Sequence, residues 1–291
     1  MEISVTSADG TRLAARRRGN GPAVVLVHGS SGGLDSWDPV APFLEDRYEL
    51  WVYARRGYAP SDPCRRSKTY ADDVADLRAV IAAAGGTAHV VGGSYGATVA
   101  LHAAGESVRG LTVQSLALFE PPLFAAGEAT AGVLGPYRDL LEDGKVRAAA
   151  LLFAEKVARV PAPILAALTG AEPADESNEG PTGESNEGPA DGSSEAVGCL
   201  HDLEAMTADS LDVNRWSAVS LPTLIMQGGE TWAPMPATMD ALAAAMPAAT
   251  RVVLPGQMHF ATHTAPELVT AELAKFLSSA RSGEARAPEK G

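Results

Sequence analysis

Ser94 stands in Gly92-Gly93-Ser94-Tyr95-Gly96, between the apolar run that ends at Gly93 and an alanine-rich segment. A serine hydroxyl is a poor nucleophile until a base takes its proton, an acid orients that base and hydrogen-bond donors receive the oxyanion. A G-x-S-x-G between strand and helix supplies the nucleophile itself. The backbone bends so tightly that glycine is needed beside the apex, and the serine is exposed there. Among six histidines, His259 lies just past the last apolar strand and before the last helix, so its loop opens on the same edge as Ser94. His259 is the expected base. His263, four residues on, has no acidic third ligand nearby, so no metal site is expected. His28 is expected to hydrogen-bond structurally and His102 to pack in the helix after the elbow. His89 and His201 are expected at the surface or in packing. One oxyanion donor is the N–H of Tyr95, the residue after the nucleophile. The second is expected from the loop after "VVLVHG", where Ser30 follows the His-Gly pair and Ser31 is a close competitor.

The elements that must position these residues are legible as alternating apolar patterns. "EISVTS" and "RLAARR" read as a hairpin around Asp9-Gly10. "AVVLVHG", "YELWVYARRG", "AHVVGG", "VQSLALFE", "PTLIMQGG" and "TRVVLPG" are short continuous apolar runs, the pattern of strands buried on both faces. Helices are expected around Asp35–Glu45, Tyr70–Ala84, Tyr95–Ala104, Met235–Met246 and Pro266–Ala280. Strands alternating with helices imply a mostly parallel sheet covered on both faces, with the chemistry at the carboxyl ends of its strands. The fold class expected is therefore α/β. Between "LALFE" and "PTLIMQ" only helical stretches occur, which reads as a helical cap over that edge. The division expected is a core at 1–120, a cap at 121–220 and a second core part at 221–281. An acidic insert at about 171–197 and a tail at 282–291 are expected to be disordered. The insert contains "ESNEGPTG" and "ESNEGPAD", too short and polar a repeat to build a solenoid.

The chain has 291 residues and a formal net charge of −13. Eight of its acids fall in 171–199, without a Lys or Arg, so the acidity says little about the substrate. A nucleic-acid partner is not expected, because phosphate binding needs clustered cations. The apolar runs are too short for a membrane span, and the N-terminus has no secretory apolar core; a cytoplasmic protein is expected. Two cysteines, Cys64 and Cys199, make no disulfide framework. Arg55 and Arg56 follow the fourth strand and are expected to be solvated. Phe119, Leu123, Phe124, Leu151, Phe153 and Trp232 could line an apolar pocket, and each is equally an ordinary core residue.

"VVLVHGSSGGLDSW", "VYARRGYAPSD", "VVGGSYGATVAL", "LPTLIMQGGE" and "LPGQMHF", in that order, resemble the α/β-hydrolase superfamily. The resemblance implies an eight-stranded, mostly parallel sheet, a cap between strands six and seven, and no cofactor. One position departs from the family's pattern: where the strand-seven loop usually carries the catalytic Asp, this chain has Thr231 after Gly228-Gly229-Glu230. A threonine cannot stabilise an imidazolium by charge. Glu230 is one residue early. Glu120 closes the sixth strand, where family members such as haloalkane dehalogenases carry their acid, and is the expected acid; the alternatives are Glu230 or the loss of the acid altogether. The function expected is a serine hydrolase acting on a small-molecule carboxylic ester, lactone or thioester. "GGSYG" is similar to the "GGSWG" of proline iminopeptidases, so a peptidase is an alternative. Carbon–carbon bond hydrolysis, lyase or cyclase chemistry and a ligand receptor are others on this scaffold. Oligomeric state is not legible.

Overall fold

In the computed structural model, residues 1–105, 111–169 and 192–284 are described. The apolar runs become β1 (Glu2–Thr6), β2 (Arg12–Arg18), β3 (Ala23–Val27), β4 (Glu49–Tyr53), β5 (Thr87–Gly93), β6 (Thr112–Phe119), β7 (Thr223–Gly228) and β8 (Thr250–Leu254). They form one sheet in the order β1-β2-β4-β3-β5-β6-β7-β8. The β1–β2 and β2–β4 pairs are antiparallel and all others parallel. The reason the inner runs are apolar throughout is visible in β3. Val25 and Val27 face one core, Val24 and Leu26 the other, and none of them is exposed. Such a strand has no wet face on which to place a polar residue.

The first core is covered by α1 (Tyr70–Ala83), α2 (Tyr95–Ala104) and, after the cap, by α7 (Met235–Ala245). The second is covered by α9 (Pro266–Glu284), whose Val269, Leu273 and Leu277 are buried, and by the segment around Trp37 to Leu44. That segment is not the helix expected at Asp35–Glu45. It is a run of turns with a single 3₁₀ turn at Ala41–Phe43. Pro39 and Pro42 have no N–H for an α-helical ladder, and several of the remaining amides bond three residues back, as Asp38 N to Asp35 O, Val40 N to Trp37 O and Phe43 N to Val40 O.

The cap comprises α3 (Glu128–Glu142), α4 (Val146–Leu152), a π-turn at Phe153–Val157, α5 (Ala162–Thr169) and α6 (Gly192–Thr207). The repeated acidic words lie outside the described residues, as do 285–291. Residues 192–197, expected in the disordered insert, instead begin α6, and 282–284 continue α9 rather than starting a tail. Apolar anchors explain the first extension. Ala196 is buried, Tyr137 Oη donates to its carbonyl at 2.9 Å, and Gly198 lies so close to Tyr58 that a Cβ there would sit 2.4 Å from the ring. Among the described residues no helix is long and apolar enough to cross a membrane.

β3 leads to β4 on one side while β5 pairs on its other side, so the carboxyl ends of β3 and β5 mark a switch point in the strand order. Ligands bind at such points in open α/β sheets. The loop His28–Ser31 and Ser94 lie there.

Candidate active site

Ser94 has φ 52° and ψ −122°, a backbone state that L side chains rarely adopt. Two glycines make the bend possible by close approach. A Cβ on Gly92 would lie 2.4 Å from the Gly96 carbonyl oxygen, and one on Gly96 would lie 2.3 Å from that of Val27. The bend is fixed at both ends: Ser94 N donates to Phe119 O of β6 at 2.8 Å, and Ala97 N donates to Ser94 O at 2.9 Å. The side chain is left half-buried at the start of α2.

The short helix α8 (Ala261–Thr264) follows His259 and holds its loop over Ser94. Nε2 of His259 is 3.1 Å from Ser94 Oγ, and Nδ1 is 2.5 Å from Glu120 Oε2. Glu120 is fully buried. Its Oε1 accepts from Gly228 N at 2.8 Å, and Oε2 also accepts from Thr231 Oγ1 at 3.2 Å. Buried carboxylates require such partners. The residue in the usual acid position thus donates to the acid on the neighbouring strand. Glu230 is exposed, with its amide bonded to Gln257 O, and it is not the acid that meets His259. Phe119, Trp232 and Phe260 set their ring centroids 6.2, 5.8 and 5.9 Å from the imidazole. This apolar collar keeps water away from the Glu120–His259 contact and strengthens it.

The donors expected for an oxyanion flank the same spot. Tyr95 opens α2, so its N–H has no partner within the helix. Gly29 is close enough that a Cβ on it would touch Ser94 Cβ at 3.1 Å. Of the next two amides, that of Ser31 donates to Tyr58 Oη at 3.3 Å, while that of Ser30 has no hydrogen-bond partner among the described residues. This favours Ser30 over Ser31. Of four described non-glycine residues with positive φ, Ser31, Ser94 and Glu120 are here, and strain of this kind gathers at functional sites.

Four of the other histidines make structural contacts. His28 is buried; Nδ1–H donates to Gly29 O at 2.7 Å and Nε2 accepts from Arg55 N at 2.9 Å. Burial, and then the nearby Arg55 cation, bring its pKa down to about 3, so the ring is neutral. His102 stacks on Tyr70 at 4.4 Å and bonds Asp209, His89 bonds Ser115, and His201 bonds Glu204. His263 is exposed beside Thr262.

Arg55 and Arg56 overturn the expectation of solvation. Arg56 pairs with Asp76 at 2.6 Å and with Asp9 at 2.9 Å. Arg55 is wholly buried and forks onto Asp202 of α6, both contacts 2.7 Å. A groove of about 630 Å³ runs along the outer side of the Ser31–Ser36 loop, between Tyr58 and Glu195; Ser94, His259 and Glu120 are not in its lining.

A sequence profile of the Alpha/beta hydrolase family matches residues 24–272. The chain belongs to this family. A solved α/β-hydrolase of Sphaerobacter thermophilus is 30% identical, covers 94% of this chain and 100% of its own, and superposes with a TM-score of 0.75. The uncharacterized hydrolase YraK of Bacillus subtilis is 35% identical over 97 residues, 32% of this chain and 35% of the relative, so the chain matches about a third of that protein. A 2-(acetamidomethylene)succinate hydrolase of Mesorhizobium japonicum is 28% identical over 276 residues, 92% of each chain.

Asp202, Lys68 and the helping role of Thr231 escape a sequence reading. Asp202 alone carries a signal. It shares the helical stripe of Cys199, Leu203 and Met206, all buried, and an acid on an apolar face implies a buried partner.

Proposed function

We propose that this α/β-hydrolase is a serine hydrolase that forms an acyl-enzyme on Ser94. The observation that carries the reading is the unbroken chain Ser94 Oγ, His259 Nε2, His259 Nδ1, Glu120 Oε2, at 3.1 and 2.5 Å. His259 takes the Ser94 proton at Nε2 as Oγ attacks the substrate carbonyl. Glu120 accepts the Nδ1–H bond throughout, fixing the tautomer and stabilising the imidazolium. The carbonyl oxygen, now anionic, is received by the N–H groups of Tyr95 and Ser30. The tetrahedral adduct collapses, and the leaving alkoxide or thiolate takes the proton from His259. Water, deprotonated by the same ring, then releases the acid and frees Ser94.

A small-molecule ester, lactone or thioester suits this mechanism, because an alkoxide or thiolate leaves an acyl carbon more readily than an amide nitrogen does. The relative from Mesorhizobium japonicum supports a second reading, an acetamide substrate cleaved at the same acyl carbon. Intact mass after fluorophosphonate treatment tests the common mechanism. One adduct is expected on the wild type and none on Ser94→Ala; a folded wild type that takes no adduct sinks the proposal. Parallel p-nitrophenyl acetate and acetanilide assays separate the two substrate readings.

A further inference from the structure

Both expected oxyanion donors are tied to one buried group of charges, and one member of that group comes from the cap. Arg55, Lys68, Asp73 and Asp202 have fully buried side chains. The Arg55 guanidinium forks onto Asp202, and also donates from Nη2 to Gly29 O at 3.1 Å and from Nε to His28 O at 3.0 Å. Lys68 Nζ reaches Asp202 at 2.6 Å and Asp73 at 3.1 Å. Asp202 Oδ2 further accepts from Ser30 Oγ at 2.8 Å and from Tyr58 Oη at 2.6 Å. On the other side of the site, Tyr95 Oη donates to Asp73 at 2.7 Å, and the Tyr95 ring lies 4.3 Å from Arg55 Cζ and 4.9 Å from Lys68 Nζ.

We propose that Asp202 is a positioning residue for the oxyanion hole: it holds the Ser30 hydroxyl directly, and Tyr95 through Arg55, Lys68 and Asp73. The inference rests on the serine-hydrolase reading. A tie between cap and core could be made with less desolvation by apolar side chains, since charges lose their hydration on burial. A bidentate fork adds what apolar packing lacks, a fixed direction for every group it holds. Here those groups are Gly29, Ser30, Ser31 through Tyr58, and Tyr95. Against the cost of burial, Arg55 and Lys68 hold the Asp202 carboxyl far below the usual range, so it stays an acceptor for Ser30. The oxyanion hole is therefore complete only while α6 is seated.

Ser30→Ala cuts the link to Asp202 while keeping the Ser30 amide and every buried charge, so it is expected to fold; Ser30→Thr keeps the hydroxyl. Asp202→Asn is the stronger variant. Each is compared with wild type by fluorophosphonate labelling, separating the maximal rate from the half-saturating concentration, and by p-nitrophenyl acetate turnover. For Ser30→Ala the maximal labelling rate and kcat are expected to fall about tenfold, less than the loss of a whole oxyanion donor. The half-saturating concentration and KM stay within about twofold, and Ser30→Thr recovers most of the rate. A folded Ser30→Ala that labels at the wild-type rate, or one that changes KM alone, overturns the inference and leaves the hydrolase reading standing. A wild type that takes no label overturns both. If Asp202→Asn does not fold, Ser30→Ala decides alone.

Discussion

In the proposed mechanism Glu120 does the work of an aspartate from the neighbouring strand, and the donor set around its carboxylate supports that role. Gly228 N, Thr231 Oγ1 and His259 Nδ1 point at two oxygens. Glu120→Gln keeps the shape but cannot hold the imidazolium, and kcat for p-nitrophenyl acetate is expected to fall by roughly 10³ to 10⁴. A loss under tenfold would remove Glu120 from the mechanism. Thr231→Asp, which rebuilds the usual family pattern, is expected to lower activity, because a second carboxylate would meet Glu120 at hydrogen-bond distance. Recovery or gain in the same assay would show that the strand-seven position is the better one. At this scale much was legible. The glycines around Ser94, the strand ends at His259 and Glu120, and the His-Gly pair before Ser30 all carry local signals. Arg55 was misread because its partner lies 147 residues away on a helix whose position only the fold supplies.

Elements show the same division. All eight strands were legible, β1 and β2 from the turn pair between them and the other six as short apolar runs, of which β3 to β7 are mostly buried, whereas the segment after β3 was misread through its prolines. The glycines divide likewise, by what surrounds them. Gly96→Ala drives a methyl into the Val27 and His28 carbonyls, at 2.3 and 2.6 Å, and soluble, folded protein is not expected. Gly132, within α3, has nothing within 4 Å of where a Cβ would stand. Gly132→Ala is expected to stabilise by about 0.5–1 kcal/mol, since alanine loses less backbone freedom in a helix. Soluble yield checks the first and chemical denaturation beside wild type the second; a destabilised Gly132→Ala would mean that α3 does not form as described.

For the whole molecule, the buried charges make stability depend on acid. Unfolded His28 takes a proton near 6.5, folded His28 not until about 3, so unfolding binds a proton between those values and is favoured as pH falls. Asp202 and Asp209 add to this lower down. Burial opposes their charge, but Arg55 and Lys68 for the first, and Arg215 and His102 for the second, hold their carboxyls below the usual range. Their stabilisation is present above about pH 4 and is lost below it. Asp76, raised by burial, works weakly the other way. Thermal midpoints are therefore expected to fall steadily from pH 7 to pH 4, and a flat profile would contradict the buried, neutral state of His28. Removing Asp202 outright leaves Arg55 and Lys68 sharing the single carboxylate of Asp73 in the interior. Asp202→Ala is expected to cost about 3–5 kcal/mol in denaturant titrations.

Cys199 sits in the middle of this arrangement, its Sγ 3.1 Å from Ser31 Oγ and its thiol buried, with burial raising its pKa. A shielded, protonated sulfur does not react, so the residue works as a shutter counter. Thiol reagents can reach it only in the instants when α6 lifts away from the Ser30–Ser31 loop. The pace at which Cys199 is consumed would then time how often α6 parts from that loop.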